Sequence, residues 1–347
     1  MRWDKLSANE SDASAARAVP PLPLALPGAV TRTFDTPGFA GMTFYEVRAK
    51  SIINRVPAAS RVPFEWTINP YRGCSHGCTY CFARNTHTYL DFDAGHDFDS
   101  RVVVKVNAGA LVRRELAAPR WSGAHIAMGT NVDCYQRAEG RYRLMRDILA
   151  ALRDFANPFS ILTKGTLILR DLDLLRQAAE VTKVSLAMSI GFVDETLWRA
   201  VEPGTPAPRR RLDAVRQLTD AGFGVGALVA PILPGLSDDE ESIEATVGAI
   251  AAAGARSATP IPLHLRPGAR EWYLSWLGRT RPELVPRYRA LFRGGSYSPQ
   301  AYQRDVCDRV RAAADRHRIG VSAPGAAREV TPPKQPEPPE MEQLTLL

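Results

Sequence analysis

The sequence predicts an α/β fold built on a parallel sheet, and three observations lead there. Short β-like segments alternate with amphipathic helical ones through the middle of the chain, the pattern of βαβ units. Two of the helical segments run into a glycine, Gly222 and Gly254, where a helix stops in a left-handed turn. Three cysteines crowd the loop after the first predicted strand, on the side where parallel sheets hold ligands.

The predicted strands are 64–69, 125–130, 159–163, 184–189, 224–230 and 257–263. Between them lie amphipathic segments at 108–116, 141–155, 172–180, 208–221 and 238–253. The last has Ser237 as its expected N-cap. Asp238, Asp239, Glu240 and Glu241 fill its first turn, where carboxylates suit the helix dipole. Residues 1–40, rich in Ala, Pro and Ser without periodicity, are expected to form a disordered arm. Residues 321–347, rich in Pro and Glu, read as a disordered tail. The stretch 266–320 reads as a helical, Arg- and aromatic-rich extension after the core of 41–265.

Of the 347 residues, 45% are apolar and 23% charged, enough for a sizeable buried core. No run of about 18 apolar residues occurs, so no membrane partner is expected. The N-terminal residues lack a basic-then-apolar signal layout, which predicts a cytoplasmic protein. Five cysteines, three of them within eight residues, exclude a disulfide framework and favour metal ligation in a reducing compartment. A formal charge of +7 suits an anionic partner.

Residues 69–84 read NPYRGCSHGCTYCFAR, with Cys74, Cys78 and Cys81 spaced C-x3-C-x2-C. Three thiolates on one loop can bind three irons of a [4Fe–4S] cubane and leave the fourth open, whereas ordinary ferredoxin cubanes use four cysteines. An open iron accepts a chelating amino acid such as the methionine end of a cofactor. Gly73 and Gly77 permit the tight path, and Arg72 and Arg84 offset the charge of an anionic cluster. The competing readings are a zinc site with His76 as fourth ligand, or three inert thiols.

The C-x3-C-x-aromatic-C motif, with Tyr80 as the aromatic, resembles the signature of the radical S-adenosylmethionine (SAM) superfamily. Together with GTNVDCYQRAE (129–139), LTKGTLILRDLDLL (162–175) and EPGTPAPRRRL (202–212), it resembles the spore photoproduct lyase-like branch, also called DNA repair photolyase-like. The resemblance runs from about Thr43 to Leu265. It implies a partial (β/α)6 barrel in which a reduced [4Fe–4S] cluster on the three cysteines splits SAM. The resulting 5′-deoxyadenosyl radical abstracts hydrogen from a substrate. It also implies a reduced flavodoxin or ferredoxin-type electron donor.

By the same resemblance Tyr80 packs near the adenine of SAM. Gly129, Thr130 and Asn131, with Asp133, lie at the strand-two end that meets the methionyl amino group; the alternative is a hydrogen-bonded turn. Lys164 is a point charge for the methionine carboxylate or a solvated helix-entry lysine, and Gly165 follows it where related sequences often carry Ser. Ser189 is the candidate for the ribose hydroxyls or a tolerated strand serine. Arg211 forks onto the carboxylate of SAM or onto Glu202. Cys134 is either a hydrogen donor to a substrate radical or a small buried thiol, and Cys307 reads as core.

The substrate is less determined. Residues 270–318 carry 11 Arg against 5 acidic residues, with Trp272, Tyr273, Trp276, Tyr288, Phe292, Tyr297 and Tyr302 interleaved. Such a mix makes either a base-stacking, phosphate-tracking surface or an amphipathic lid with its aromatics in a core. A nucleic acid base is therefore one expected substrate, and a peptide, protein or small metabolite the other. A non-catalytic Fe–S or zinc module is the third reading.

Overall fold

The computed structural model describes residues 26–321 except 27, 58, 59 and 61. One sheet runs Ser257–Pro262, Val225–Ile232, Val184–Ser189, Phe159–Thr163, Ile126–Met128, Trp66–Ile68 and Ile53–Arg55. The first six are parallel neighbours in chain order, and Ile53–Arg55 adds an antiparallel edge. The two outer strands do not pair with each other, so the sheet is a partial (β/α)6 barrel rather than a closed one. Strands such as Ile126–Met128 and Phe159–Thr163 contribute mostly buried apolar residues to the main core, as strands covered on both faces do.

All six predicted strands are present, with ends moved by up to two residues. Helices Ala108–Leu116, Leu172–Val181, Pro208–Asp220 and Glu240–Ala252 cover the outside. Gly222 and Gly254 do take positive φ, +95° and +86°. Two helix details differ from expectation. The segment 141–155 breaks at Arg143 (φ +53°) into Arg137–Tyr142 and Leu144–Asp154, because buried Glu139 accepts the N–H groups of Leu144 and Met145 and starts a new helix there. The N-cap of Glu240–Ala252 is Asp239, whose carboxylate accepts from the Ser242 N–H; Ser237 instead accepts from the Leu233 N–H at 3.0 Å.

A second sheet, ordered Val30–Arg32, Thr43–Val47, Arg101–Lys105 and Tyr71–Arg72, was not anticipated. Its strands have two to five residues, too few for an alternating pattern to stand out. It also corrects the expected arm. Residues 1–25 lie outside the described residues, but Val30–Arg32 pairs with Thr43–Val47, and Phe34 and Phe39 pack on Phe44 with ring centroids 5.3 Å away. Aromatic burial against Phe44 and Tyr142 orders what composition alone suggested was loose. Of the expected tail, 322–347 also lie outside the described residues, while Val321 packs on the core.

The extension folds as helices Ala269–Thr280, Val285–Leu291 and Gln300–Arg316. Tyr273, Tyr288 and Phe292 are buried together with Leu277, Leu263, Tyr80 and Cys78 in a second apolar cluster. Many of its arginines are spent on neighbours: Arg281 on Glu283, Arg287 on Asp238, Arg309 on Asp305 and Arg316 on Glu244. Those aromatics therefore form a core beside the cysteine loop instead of an open stacking surface. Val306, Val310, Ala313 and Ala314 bury one face of Gln300–Arg316, with Cys307 half-buried beside them. Among the described residues, no helix is long and apolar enough to cross a membrane.

Candidate active site

The cysteine loop leaves the carboxyl end of strand Trp66–Ile68 and is held by its backbone. Gly73 takes φ +80°, and a Cβ there would meet the Arg101 carbonyl at 2.8 Å, so only glycine admits this approach. The Cys74 N–H donates to the Phe98 carbonyl at 2.9 Å and the Thr79 N–H to the Val201 carbonyl at 3.0 Å. Buried Gln136 accepts from the Ser75 N–H and donates to the Gly73 carbonyl, both at 2.9 Å. The 202–205 turn closes from the other side: the Gly204 N–H donates to the His76 carbonyl at 3.0 Å, and a Cβ on Gly204 would come within 2.1 Å of the Ser75 carbonyl.

Cys74 and Cys78 are buried, and Cys81 is half-buried. Burial pushes all three thiols up; for Cys74 the N–H groups of His76 and Asp133 work against it, and for Cys81 the Arg84 charge and the Ala83 N–H do. Each of Cys74 and Cys78 also feels the charge of its neighbours in the loop, so the three sulfurs share one electrostatic neighbourhood. His76 does not join them. It is buried beside Asp133, with Nδ1 3.4 Å from Oδ2, and burial pushes its pKa down to about 4. Four ligands of one zinc ion must lie within about 4 Å of each other. Among the described residues no three or more His, Cys, Asp or Glu side chains, Cys74, Cys78 and Cys81 included, are gathered as ligands of one metal ion. Three thiols on one glycine-turned loop, with backbone N–H groups facing sulfur, are the donor set a multi-iron cluster takes.

Beside the loop, residues from four segments converge. The Tyr80 hydroxyl and Arg211 both donate to Glu202, which is fully buried. Lys164, at the end of Phe159–Thr163, lies 3.5 Å from the same carboxylate and 5.9 Å from the centre of the Tyr80 ring. Its ammonium also donates to Ser189 Oγ and, at 3.4 Å, to the Ala230 carbonyl. Burial by itself would raise the Glu202 pKa; the charges of Arg211 and Lys164 and the bonds from Tyr80 and Arg211 overcome it and hold the group at about 2. Arg211 spends its remaining donors inside the protein, on the Pro206 carbonyl at 2.9 Å, the Ser189 carbonyl at 3.0 Å and Thr205 Oγ1 at 3.0 Å. Of its expected partners Glu202 is present here, and Arg211 holds that carboxylate in place.

The strand-two end is tied down more tightly than its sequence suggested. A Cβ on Gly129 would fall 1.8 Å from the Leu162 carbonyl, so only glycine lets these two neighbouring strand ends come this close. Thr130 Oγ1 is 3.1 Å from Thr67 Oγ1. Asp133 accepts from Thr163 Oγ1 at 2.6 Å, the Tyr135 N–H at 2.8 Å and the Lys164 N–H at 2.7 Å, which leaves it little capacity for a ligand. Asn131 is half-buried and its side chain makes no hydrogen bond among the described residues. Gly165 has no room for the serine hydroxyl of related sequences, since a Cβ would sit 2.2 Å from the Tyr135 carbonyl.

Cys134 is fully buried in the main apolar core, and burial pushes its thiol far up. Such a sulfur is a packing group. Cys134→Ala should leave SAM cleavage within about twofold of wild type and lower stability by about 1 kcal/mol, the cost of a small buried truncation. Product assay and urea denaturation on the same preparation check both.

Gln136 and Glu139 were missed from the chain alone. Glu139 accepts from Tyr71 Oη at 2.5 Å and Arg170 at 2.7 Å, and burial, against Arg170, pushes it up to about 7. Both lie inside the 129–139 stretch, but a lone Gln or Glu carries no local signal of burial.

A model of the radical SAM superfamily matches residues 68–246, the stretch holding the cysteine loop and four of the five parallel strands that follow it. The chain belongs to the radical SAM superfamily. It is an enzyme of that group, and its barrel is similar to solved structures of spore photoproduct lyase. The complex of that lyase with dinucleoside spore photoproduct aligns over 81% of each chain with a TM-score of 0.59 and 18% identity. A lyase variant with bound AdoMet and dinucleoside spore photoproduct aligns over 80% of each, also at TM-score 0.59 and 18% identity. Among curated proteins, an uncharacterized protein of Mycobacterium tuberculosis is 47% identical over 323 residues, 92% of this chain and 93% of that protein. An uncharacterized protein of Methanocaldococcus jannaschii is 31% identical over 203 residues, 58% of this radical SAM chain and 72% of the relative.

Proposed function

We propose that this radical SAM enzyme holds a [4Fe–4S] cluster on Cys74, Cys78 and Cys81, binds SAM beside it, and abstracts hydrogen from a nucleic acid base. When bound and reduced, the cluster supplies the electron that cleaves SAM to methionine and a 5′-deoxyadenosyl radical. The chain's own residues bind, orient and exclude water.

The observation that carries the reading is the convergence of the cysteine loop with Tyr80, Lys164, Ser189 and Glu202 at the carboxyl ends of the parallel strands. In this reading Lys164 pairs with the methionine carboxylate, exchanging its internal acceptors for the ligand. Asn131 and Thr130 face the amino group, with Gly129 bringing the strand end near. Ser189 meets the ribose and Tyr80 the adenine. Glu202 and Arg211 keep Tyr80 and Lys164 in place. The electron comes from a reduced flavodoxin or ferredoxin-type donor in the cytoplasm.

A base is favoured as substrate by what stands at the barrel mouth. Phe82, next to Cys81, packs at a tilt against His264 with ring centroids 5.6 Å apart, and His264 stacks on Tyr297 at 5.5 Å. Tyr297 is half exposed, and the Arg266 guanidinium lies 5.2 Å from the Phe82 ring. Rings flanked by a cation suit a planar, phosphate-linked ligand. The neighbouring lyase's complex with a dinucleoside photoproduct supports the same class.

The test is anaerobic reconstitution with iron and sulfide, reduction, and detection of 5′-deoxyadenosine after SAM is added. Single-stranded oligonucleotides labelled with deuterium are then compared with a peptide mixture labelled in the same way. Faster product formation with oligonucleotide, and deuterium in the 5′-deoxyadenosine, is the expected result. Deuterium arriving from the peptides instead would remove the nucleic acid part of the proposal and leave the radical chemistry standing.

A further inference from the structure

Arg84, three residues past Cys81, is fully buried, a costly place for a guanidinium unless every donor is met. Its Nε and Nη2 donate to the Cys78 carbonyl at 3.2 and 2.9 Å. Its Nη1 donates to the Gly95 carbonyl at 2.7 Å and the Ala94 carbonyl at 3.3 Å, and Nη2 reaches both Asp99 oxygens at 2.9 Å. The Cys78 oxygen also accepts from the Cys81 N–H at 3.2 Å, so Arg84 grips the carbonyl that closes the turn between two of the three cysteines.

What holds Arg84 comes partly from the C-terminal extension. The guanidinium lies 4.8 Å from the centre of the Trp272 ring and 5.3 Å from that of Phe98. Trp272 belongs to helix Ala269–Thr280 and rests where Gly95 has no side chain: a Cβ on Gly95 would come within 2.4 Å of the ring. Desolvation by that ring strengthens the pairing of Arg84 with Asp99 and with the Cys78 carbonyl. The helix that lies over the cysteine loop is thus in direct contact with the side chain that shapes it.

We propose that Arg84, held by Trp272 and Asp99, is the positioning residue that sets the Cys78–Cys81 turn and makes the extension part of the cluster site. The proposal rests on the reading of the three cysteines as cluster ligands. It goes beyond that reading by tying their geometry to a residue outside the matched superfamily segment, since Trp272 lies past residue 246.

The test compares wild type with Arg84→Lys, which keeps the charge and loses the fork, and with Trp272→Ala and Trp272→Phe. Two properties are read: amide hydrogen exchange at Cys81 in the metal-free protein, and iron content with the electron paramagnetic resonance (EPR) spectrum and potential of the reduced cluster. Arg84→Lys and Trp272→Ala should each speed exchange at Cys81 by about tenfold, the effect of losing a charge-assisted bond or its ring contact. Both should alter the EPR spectrum and potential, and Trp272→Phe should restore them. Circular dichroism establishes that each variant is folded; should Arg84→Lys not fold, Trp272→Ala at the half-buried ring carries the comparison. Folded variants with wild-type exchange, four irons, spectrum and potential would overturn the proposal. The underlying reading fails separately, if wild type itself takes up no four-iron cluster.

Discussion

Replacing Cys78 by alanine is expected to abolish SAM cleavage while leaving the protein folded. Two thiolates cannot hold three irons, and even residues that only orient a ligand cost about 10- to 100-fold when lost, so a drop of at least about 100-fold in 5′-deoxyadenosine is expected. The fold should tolerate the change because Cys78 is a small member of the apolar cluster with Tyr80, Tyr273 and Leu263. Its loss should cost about 1 kcal/mol in the metal-free protein. Mass spectrometry of the product and iron analysis, set beside a melting curve, separate the two effects. Retention of four irons and product by the variant would mean that the loop is not the cluster site. Collapse of the fold with the metal-free protein unfolded would mean that Cys78 is structural.

Glu202→Gln should destabilise the protein and cripple the site together. The substitution keeps shape but leaves Arg211 and Lys164, with side chains 1% and 13% exposed, facing an uncharged amide. Breaking a buried pair on one side costs about 3–5 kcal/mol. The pH dependence follows from the carboxylate. Its folded pKa of about 2 lies below the ordinary 4.5, so its contribution is complete above pH 4.5 and lost as the pH falls through 2. That shift corresponds to about 3 kcal/mol. Urea denaturation at pH 7, 4 and 3 should show wild type losing a growing share of this margin and the variant not; the difference between the two curves removes the other carboxylates. A variant as stable as wild type at pH 7 would show that the Tyr80–Glu202–Arg211–Lys164 network does not hold the fold.

Much of the barrel could be read from the chain. The six strands were visible because a buried parallel strand is a short apolar run between turn residues, and helix ends were visible at Gly222 and Gly254. The small second sheet was not, since Tyr71–Arg72 and Val30–Arg32 are strands only by virtue of Arg101–Lys105 and Thr43–Val47 beside them. The Arg- and aromatic-rich extension divided in a way composition could not foresee: Tyr273 and Tyr288 bury their hydroxyls against each other at 3.0 Å, while Tyr297 stays at the mouth.

By itself the sequence placed three thiols on one short loop. Cys74, Cys78 and Cys81 follow one another at spacings of three and two intervening residues, which keeps the three thiols on a single short stretch of backbone. Tertiary structure alone decided which charges surround them. Tyr80 and Glu202 are 122 residues apart, and Lys164 meets Ser189 across 25. Such pairs exist only once neighbouring parallel strands set their carboxyl ends side by side and burial removes the water that would otherwise satisfy each group. A motif is a covalent fact about near neighbours; a buried ion network is the outcome of packing, and no local stretch of chain encodes it.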